Sequence, residues 1–445
     1  MLTWISKHIF FPLWELKDGA RRGEYLRLLN ETQWWEPERI RQQQWNRLRE
    51  IVAYASRHCP YYATRLAEVG VSVDIKDWDE FRRIPVLTKQ DIREQGTRLL
   101  SREFAREDLV ESRTGGSTGK ALTLYCDKQC QELRNAAAMR SDQWAGWDIG
   151  MKVAAVWGNP PVANTVKKKL RNMLLDRFMY LDTMQINETS VMQFVQEWYR
   201  EDPKVLFGHS HSLFILATFL RKLEIRDLRP QGIISTSMML LDPERRLIEE
   251  IFRCKVTNRY GCEEVSLIAC ECERRDGLHV NLDHVIVEFL RDDGTQAAPG
   301  EEANIIVTEL INRGMPLIRY RVEDMGMSSA RNCACGRSLP LMEKVVGRRA
   351  DFLKRPDGSL VAGVSLVERT LTAIPGIEQM QLIQNQANEI QAKLVTDDQW
   401  SQNSEAALRH ELQSVFGGQV KIDITQVAKL DQTGAGKYRF AICNI

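Results

Sequence analysis

The chain reads as an α/β protein with a β-rich segment past its middle and a small α+β domain at its C-terminal end. Helical and strand-like stretches alternate between Gln131 and Phe252, the pattern of a sheet with covering helices. From Val280 onward the pattern changes to short strands separated by turn clusters such as Arg291-Asp292-Asp293-Gly294 and Pro299-Gly300. A charged, turn-rich stretch from Gly347 to Gly358 then leads into two further helical stretches interleaved with strands. At 445 residues the chain exceeds the roughly 250–300 residues at which one core stops growing, so more than one domain is expected.

Met1 to Trp14 is apolar but broken by Lys7, His8 and Pro12, too interrupted to span a bilayer and without a signal-peptide cleavage site. It reads as an arm packed on the core; an apolar membrane-surface face made of Trp4, Ile5, Ile9, Phe10, Phe11 and Trp14 is the alternative. Between Glu38 and Ala67, the helical spacing of Leu48, Ile51, Val52 and Ala55 predicts a helical scaffold. After Pro85, Thr88-Lys89-Gln90-Asp91 is a helix-start signature.

The alternation follows. Helices are predicted at Gln131–Trp144, Val191–Arg200, His211–Lys222 and Pro243–Phe252, and strands at Val153–Trp157, Val205–Phe207 and Gly232–Ser235. The β-rich part holds Val285–Leu290, Ala303–Leu310 and Leu317–Arg321, and the C-terminal helices are Val364–Ala373 and Ser404–Val415. We place an N-terminal helical region at residues 1–80, a main domain at 81–346 and a C-terminal domain at 347–445.

Composition narrows the function classes. Hydrophobic residues make up 43% and charged residues 27%, and 61 Lys plus Arg nearly cancel 60 Asp plus Glu, which argues against bulk nucleic-acid binding. With no export signal and no transmembrane segment, a cytoplasmic location is expected. The ten cysteines are then better read as thiols or metal ligands than as a disulfide framework.

Residues 113 to 121 read Arg-Thr-Gly-Gly-Ser-Thr-Gly-Lys-Ala, flanked by strand-like residues on both sides. Gly115, Gly116 and Gly119 let the backbone turn N–H groups toward one anion. Thr114, Ser117 and Thr118 add hydroxyls, and Lys120 adds a positive charge. A Walker loop would need glycine where Thr114 stands and Ser or Thr where Ala121 stands, so this is a phosphate cradle of another kind.

Four more stretches join it: Arg259-Tyr260-Gly261-Cys262-Glu263-Glu264, Arg319-Tyr320-Arg321-Val322-Glu323-Asp324, Gly347-Arg348-Arg349-Ala350-Asp351, and Thr433-Gly434-Ala435-Gly436-Lys437. Their order and spacing resemble the adenylate-forming ligase superfamily. The stretch Cys333-Ala-Cys335-Gly-Arg-Ser-Leu-Pro340 directs the resemblance to its phenylacetate-CoA ligase and CapK-like branch. The likeness runs from about residue 80 to the end and implies a large domain of doubly wound α/β subdomains plus a β-rich subdomain, carrying a small mobile C-terminal lid.

The resemblance also implies a reaction: a carboxylate attacks the α-phosphate of ATP, pyrophosphate leaves, and the acyl group passes to a thiol, with CoA as the expected acceptor. Residues 114–120 would clamp the β- and γ-phosphates, Glu264 would help hold Mg2+, and Tyr260 next to Gly261 would offer adenine a flat face. Asp324 would accept hydrogen bonds from the ribose hydroxyls, reinforced by Arg348, and Lys437 would bridge the substrate carboxylate and the α-phosphate. A small organic acid is the implied substrate, and a homodimer is compatible with the resemblance. An adenylyl- or acyltransferase acting on a non-CoA acceptor, such as a cofactor or polysaccharide precursor, and a silent zinc-stabilised scaffold are the competing readings.

The family's Thr-Gly before the ribose acid is here Val322-Glu323, the Pro-Lys closing the glycine loop is Lys120-Ala121, and Ala350 holds the usual charged hinge position. Apart from the family motifs, Cys272, His279, Cys333 and Cys335 supply ligand types suited to a closed structural Zn2+ site, with Cys262 and Cys270 near enough in sequence to compete. Gly208-His209-Ser210-His211-Ser212 hints at a nucleophile elbow but lacks the final glycine and a partner acid. A helix start at Ser210 fits better, and the resemblance implies that His209 and His211 line the acyl or adenine pocket.

Overall fold

A computed structural model describes residues 2–113, 122–158, 165–183, 186–348, 352–431 and 438–445. Its centre is an eleven-stranded sheet in the order Val285–Leu290, Ala303–Glu309, Tyr320–Ser328, Leu341–Arg348, Leu278–Val280, Ser266–Glu271, Val256–Cys262, Gly232–Thr236, Val205–His209, Val153–Trp157 and Phe178–Asp182. From Val256–Cys262 to Phe178–Asp182 neighbouring strands run parallel. On its other side Val256–Cys262 pairs antiparallel, as do all strands beyond it. This one strand is therefore where the sheet changes character.

The parallel half explains the alternation read from the sequence. Strands buried on both faces are near-continuously apolar, and Val153, Ala154, Ala155 and Val156 are all buried. Helices Glu188–Glu201, Ser210–Lys222 and Asp242–Phe252 cover one face through Phe194, Trp198, Leu216, Ile248 and Phe252. The opposite face is lined by Ala145, Val153, Val205 and Ile234. Helices Pro37–His58 and Pro60–Glu68 pack on the antiparallel half, with Leu48, Ile51, Val52 and Ala55 in its core. The Thr88 start signature forms a full capping box with Asp91.

Two expectations are corrected. The predicted strand Leu317–Arg321 starts only at Tyr320 and runs to Ser328. Arg319 has a left-handed φ of 52° that interrupts extended backbone, and two 3.0 Å bonds tie its guanidinium to Glu288. The N-terminal arm is helical over most of Leu2–Asp18, yet it is not core-packed. Ser6 is its sole buried residue among those described, and Trp4, Ile9, Leu13 and Leu16 are exposed.

The helix Lys128–Trp144 is fastened to the β-rich half by a buried ion pair. Arg140, fully buried, donates to Asp283 at 2.7 Å, to Asn281 at 2.5 Å and to the Leu29 carbonyl at 3.2 Å. Burial alone would raise the Asp283 carboxyl; the Arg140 charge and the Thr32 hydroxyl overcome it and hold the group below its usual range. Arg140→Leu removes the ion-pair partner of buried Asp283, leaving only the weaker influence of Arg47, and is expected to cost about 3 kcal/mol in urea denaturation. The double replacement Arg140→Leu/Asp283→Leu is expected to cost less than that single change.

The C-terminal unit is a four-stranded sheet, Lys421–Gln426, Glu389–Thr396, Ile377–Gln386 and Ala441–Cys443. Helices Gly363–Ala373 and Gln402–Phe416 pack on it, the latter capped by Ser401. Leu408, Leu412 and Phe416 fill its core together with Leu382 and Leu394. Leu241, from the large unit, is buried in the same cluster. The strands flanking the glycine-rich stretch, Val110–Arg113 and Thr123–Cys126, pair antiparallel as a hairpin.

Candidate active site

In open α/β sheets, ligands bind beyond the carboxyl ends of strands where the topology switches. Tyr260 and Gly261 lie at that end of the switching strand Val256–Cys262. A side chain at Gly261 would meet the Ser266 carbonyl at 2.4 Å, so glycine is required for the return strand to close on it. Tyr260 is buried in the core cluster and its hydroxyl donates to Asp324 Oδ2 at 2.9 Å.

Asp324 sits on Tyr320–Ser328, directly across the antiparallel ladder from the backbone of Arg348. Glu264, buried in the turn after the switching strand, accepts at Oε1 from the Tyr320 hydroxyl at 2.8 Å. Its backbone carbonyl accepts from Arg134 at 2.7 Å, and Arg134 grips the buried Glu309 through two 2.7 Å bonds. The resemblance-implied residues Tyr260, Gly261, Glu264 and Asp324 are thus brought together. Thr114 to Lys120 and Lys437 lie outside the described residues, as does the side chain of Arg348.

Sequence reasoning missed Lys89, whose Nζ lies 2.8 Å from Glu323 Oε2 and 3.7 Å from Glu264 Oε1. A lysine in the first turn of a helix opposes the helix dipole, and that mismatch was the available signal. Arg134 and the hydroxyl of Tyr320 carried no such mark. Glu264, Glu323 and Asp324 leave an acidic cluster with Lys89 as its cation, an arrangement suited to a divalent ion and to the hydroxyls of a ribose. Burial, then the Asp324 carboxylate, pushes Tyr260 well above the ordinary phenol range. Burial, then Glu264, does the same to Tyr320. Both phenols therefore stay protonated and donate.

The Val-Glu departure has a visible consequence. Glu323 holds φ at 71°, a conformation in which the family's glycine is unstrained. Glu323→Gly is expected to change stability by less than about 1 kcal/mol, because relief of strain offsets loss of the Lys89 pair. Glu323→Ala keeps the strain and loses the pair, so its unfolding midpoint is expected to fall below that of Glu323→Gly.

Behind the site, the ligand atoms of Cys272, His279, Cys333 and Cys335 all lie within 4.8 Å of one another. Cys272 Sγ is 3.7 Å from Cys333 Sγ, and Cys335 Sγ is 3.3 Å from His279 Nε2. His279 Nδ1 donates to the Leu339 carbonyl at 3.0 Å, which leaves the Nε2 lone pair for the cluster. Backbone N–H groups of Arg274 and Arg337 donate to Cys272 and Cys335 at 3.4 Å each. Burial pushes the Cys272 thiol up to about 12. At Cys335 burial works the same way but is outweighed by hydrogen bonds centred on Arg337, so that thiol is lowered. Cys270 turns instead to the Glu271 carbonyl at 3.3 Å, and neither it nor Cys262 joins the group.

The Gly208–Ser212 stretch starts the helix Ser210–Lys222, but Ser210 does not cap it. Its hydroxyl bonds Ser235 at 2.6 Å and the Met238 carbonyl at 2.9 Å. The His209 ring lies tilted against Trp157, with centroids 4.1 Å apart. His211 is buried against Glu244 and carries the C-terminal unit: Nε2 lies 3.3 Å from Gln379, and its ring meets Tyr438 at 4.2 Å. No hydrolase triad is present among the described residues of this stretch.

Residues 353–444 match the family described as the CapK C-terminal domain. The chain is 24% identical over 412 residues to Protein CapK of Staphylococcus aureus, covering 90% of this chain and 88% of that one. It is 27% identical over 358 residues to phenylacetate-coenzyme A ligase of Thermus thermophilus, covering 76% and 77%. Among solved structures, 2-hydroxyisobutyryl-CoA ligase in its postadenylation state with 2-HIB-AMP superimposes with a TM-score of 0.73 at 17% identity, covering 91% and 90%. The fold is that of the adenylate-forming ligases. The chain's sequence likeness is to CapK and the phenylacetate-coenzyme A ligases.

Proposed function

We propose that this protein activates an organic acid with ATP, forming an acyl adenylate and pyrophosphate, and then passes the acyl group to the thiol of CoA. The observation that carries this reading is the pair of phenol–carboxylate bonds, Tyr260 to Asp324 and Tyr320 to Glu264, at the end of the switching strand. They orient two carboxylates for different tasks. Asp324 presents acceptor oxygens to the ribose hydroxyls, with Arg348 across the ladder. Glu264, beside Glu323, offers the hard oxygen ligands that suit Mg2+, which when bound neutralises charge on the phosphate oxygens. Residues 114–120 hold the outer phosphates, and residues 347–445 act as a lid that brings Lys437 to the carboxylate and α-phosphate.

The Cys272, His279, Cys333 and Cys335 group holds structural Zn2+. Three thiolates and one imidazole are a common closed donor set for this ion, and their spacing fits it. The ion ties the strands Ser266–Glu271 and Leu278–Val280 to the loop that leads into Leu341–Arg348, and so supports both sides of the nucleotide site.

Pyrophosphate exchange with a panel of aryl, fatty and amino acids, run with and without CoA, tests the proposal. Acid-dependent exchange and a thioester with CoA are expected. Exchange without thioester would move the second half-reaction to another acceptor; ATP binding with no exchange for any acid would remove acyl activation. Lys437→Ala is expected to lower exchange about a hundredfold, the loss of about 3 kcal/mol of transition-state stabilisation. Unchanged exchange would remove Lys437 from the reaction.

A further inference from the structure

The N-terminal arm and the helix near residue 170 lie against each other, and each exposes a run of apolar side chains. In the arm, the π-helical turn Ser6–Phe10 lies between Leu2–Ile5 and the α-helix Phe11–Asp18. Trp4, Ile9, Leu13 and Leu16 are spaced by one π turn and then two α turns, which sets them on one side. They face solvent, Trp4 at 60% and Leu16 at 80% exposure. The other side docks: Lys7 pairs with Asp148 at 2.5 Å. A side chain on Gly150 would meet the Thr3 carbonyl at 2.6 Å, so only glycine admits the arm there.

The second segment, Val166–Arg171 continuing into Asn172–Asp176, lies against Ser6–Phe10, and Arg171 stacks over Trp14 at 4.8 Å. Val166 at 83% exposure, Leu170 and Met173 repeat the apolar stripe at helical spacing. Between and beside them stand Lys167, Lys168 and Lys169, exposed and without an ion pair among the described residues, and Lys17 of the arm lies over the same Trp14 ring as Arg171. The nearby acids are largely taken: Asp176 pairs with Arg171 at 3.1 Å, and Glu15 accepts from the Gly23 N–H at 3.1 Å; Asp18 remains exposed.

We propose that this face seats the protein on an anionic lipid surface. Exposed apolar stripes rimmed by charge mark interaction sites, and a basic amphipathic helix with Trp and Leu on its apolar side lies in the membrane interface plane. The basic rim selects the partner. A neutral apolar partner has no use for it, and a symmetric contact between two copies would set one lysine run against the other. Headgroup phosphates complement the lysines while the stripe enters the acyl boundary. Among the described residues no helix is long and apolar enough to cross a membrane, so the contact is peripheral.

The test is co-sedimentation of the full chain with vesicles of phosphatidylcholine alone or mixed in equal parts with phosphatidylglycerol. Binding is expected only to the mixed vesicles, weakening as salt rises. The triple change Lys167→Gln/Lys168→Gln/Lys169→Gln is expected to weaken it on the order of a hundredfold, from about 1 kcal/mol per lysine. Leu13→Ser/Leu16→Ser is expected to weaken it at least about tenfold, with the unfolding midpoints of both variants unchanged. Hydrogen exchange on vesicles should slow in residues 2–18 and 166–176. Failure of the intact chain to bind mixed vesicles, or equal binding by the Leu13/Leu16 variant, overturns the proposal. So does a dimer in light scattering that this variant dissolves, because the face would then join copies of the chain.

Discussion

Glu264→Gln is expected to lower acid-dependent pyrophosphate exchange by about two to three orders of magnitude, the equivalent of roughly 3–4 kcal/mol in the barrier. The substitution is nearly isosteric. Glutamine can still accept the Tyr320 hydroxyl bond that Glu264 Oε1 accepts at 2.8 Å, and the backbone carbonyl remains available to Arg134. What disappears is one negative charge from the group Glu264, Glu323 and Asp324, with Lys89 already 3.7 Å away as a resident cation. The lost charge weakens the hold on Mg2+, so the Mg2+ concentration giving half-maximal exchange should rise along with the loss of rate. Tyr320→Phe removes the orienting hydroxyl and leaves the charge, and is expected to do less harm. Full exchange activity in Glu264→Gln at ordinary Mg2+ would take this carboxylate out of the reaction and leave it as a buried partner for Tyr320.

These contacts also show what a linear reading can reach. Tyr260, Gly261, Glu264 and Asp324 were legible because short motifs carry both residue type and local backbone. Gly261 must be glycine to pass Ser266, whereas Asp324 was read from its motif alone, since the predicted strand ended at Arg321 and the observed one runs to Ser328. Lys89 was not legible as a site residue, because its contact with Glu264 and Glu323 comes from a helix packing against a sheet assembled much later in the chain. The sheet alternation could be read since parallel strands are apolar on both faces. The arm was misread for a different reason. Periodicity identifies an apolar stripe but not the direction in which it points, and the π turn at Ser6–Phe10 changed the phase of the stripe. Likewise the metal-type residues could be picked by chemistry, while the choice of Cys272 over Cys262 and Cys270 depended on which strand faces carry them inward together.

Removal of Zn2+ is expected to affect the large unit more than any single surface change. The chain purified without chelator should contain a single zinc ion, and Cys335→Ser or Cys272→Ser should abolish it. Binding of a structural zinc contributes directly to folding because the unfolded chain has no preformed site. Here the four donors come from a strand end, a neighbouring strand and a separate loop, so a bound ion would close long loops. Without it, the thiolates take up protons and become weaker acceptors for the Arg274 and Arg337 N–H groups, and buried thiols are left crowded together. The unfolding midpoint should fall by on the order of 10 °C, as expected for a loss of several kcal/mol. The loss should reach the active site through geometry. Cys333 and Cys335 precede the strand Leu341–Arg348, whose last residue pairs across the ladder with Asp324, so a loosened loop shifts the ribose side of the pocket. The KM for ATP should therefore rise in Cys335→Ser even well below its unfolding temperature. A Cys335→Ser protein with full stability and an unchanged KM for ATP would reduce the four residues to a cluster of buried thiols around a histidine held by Leu339.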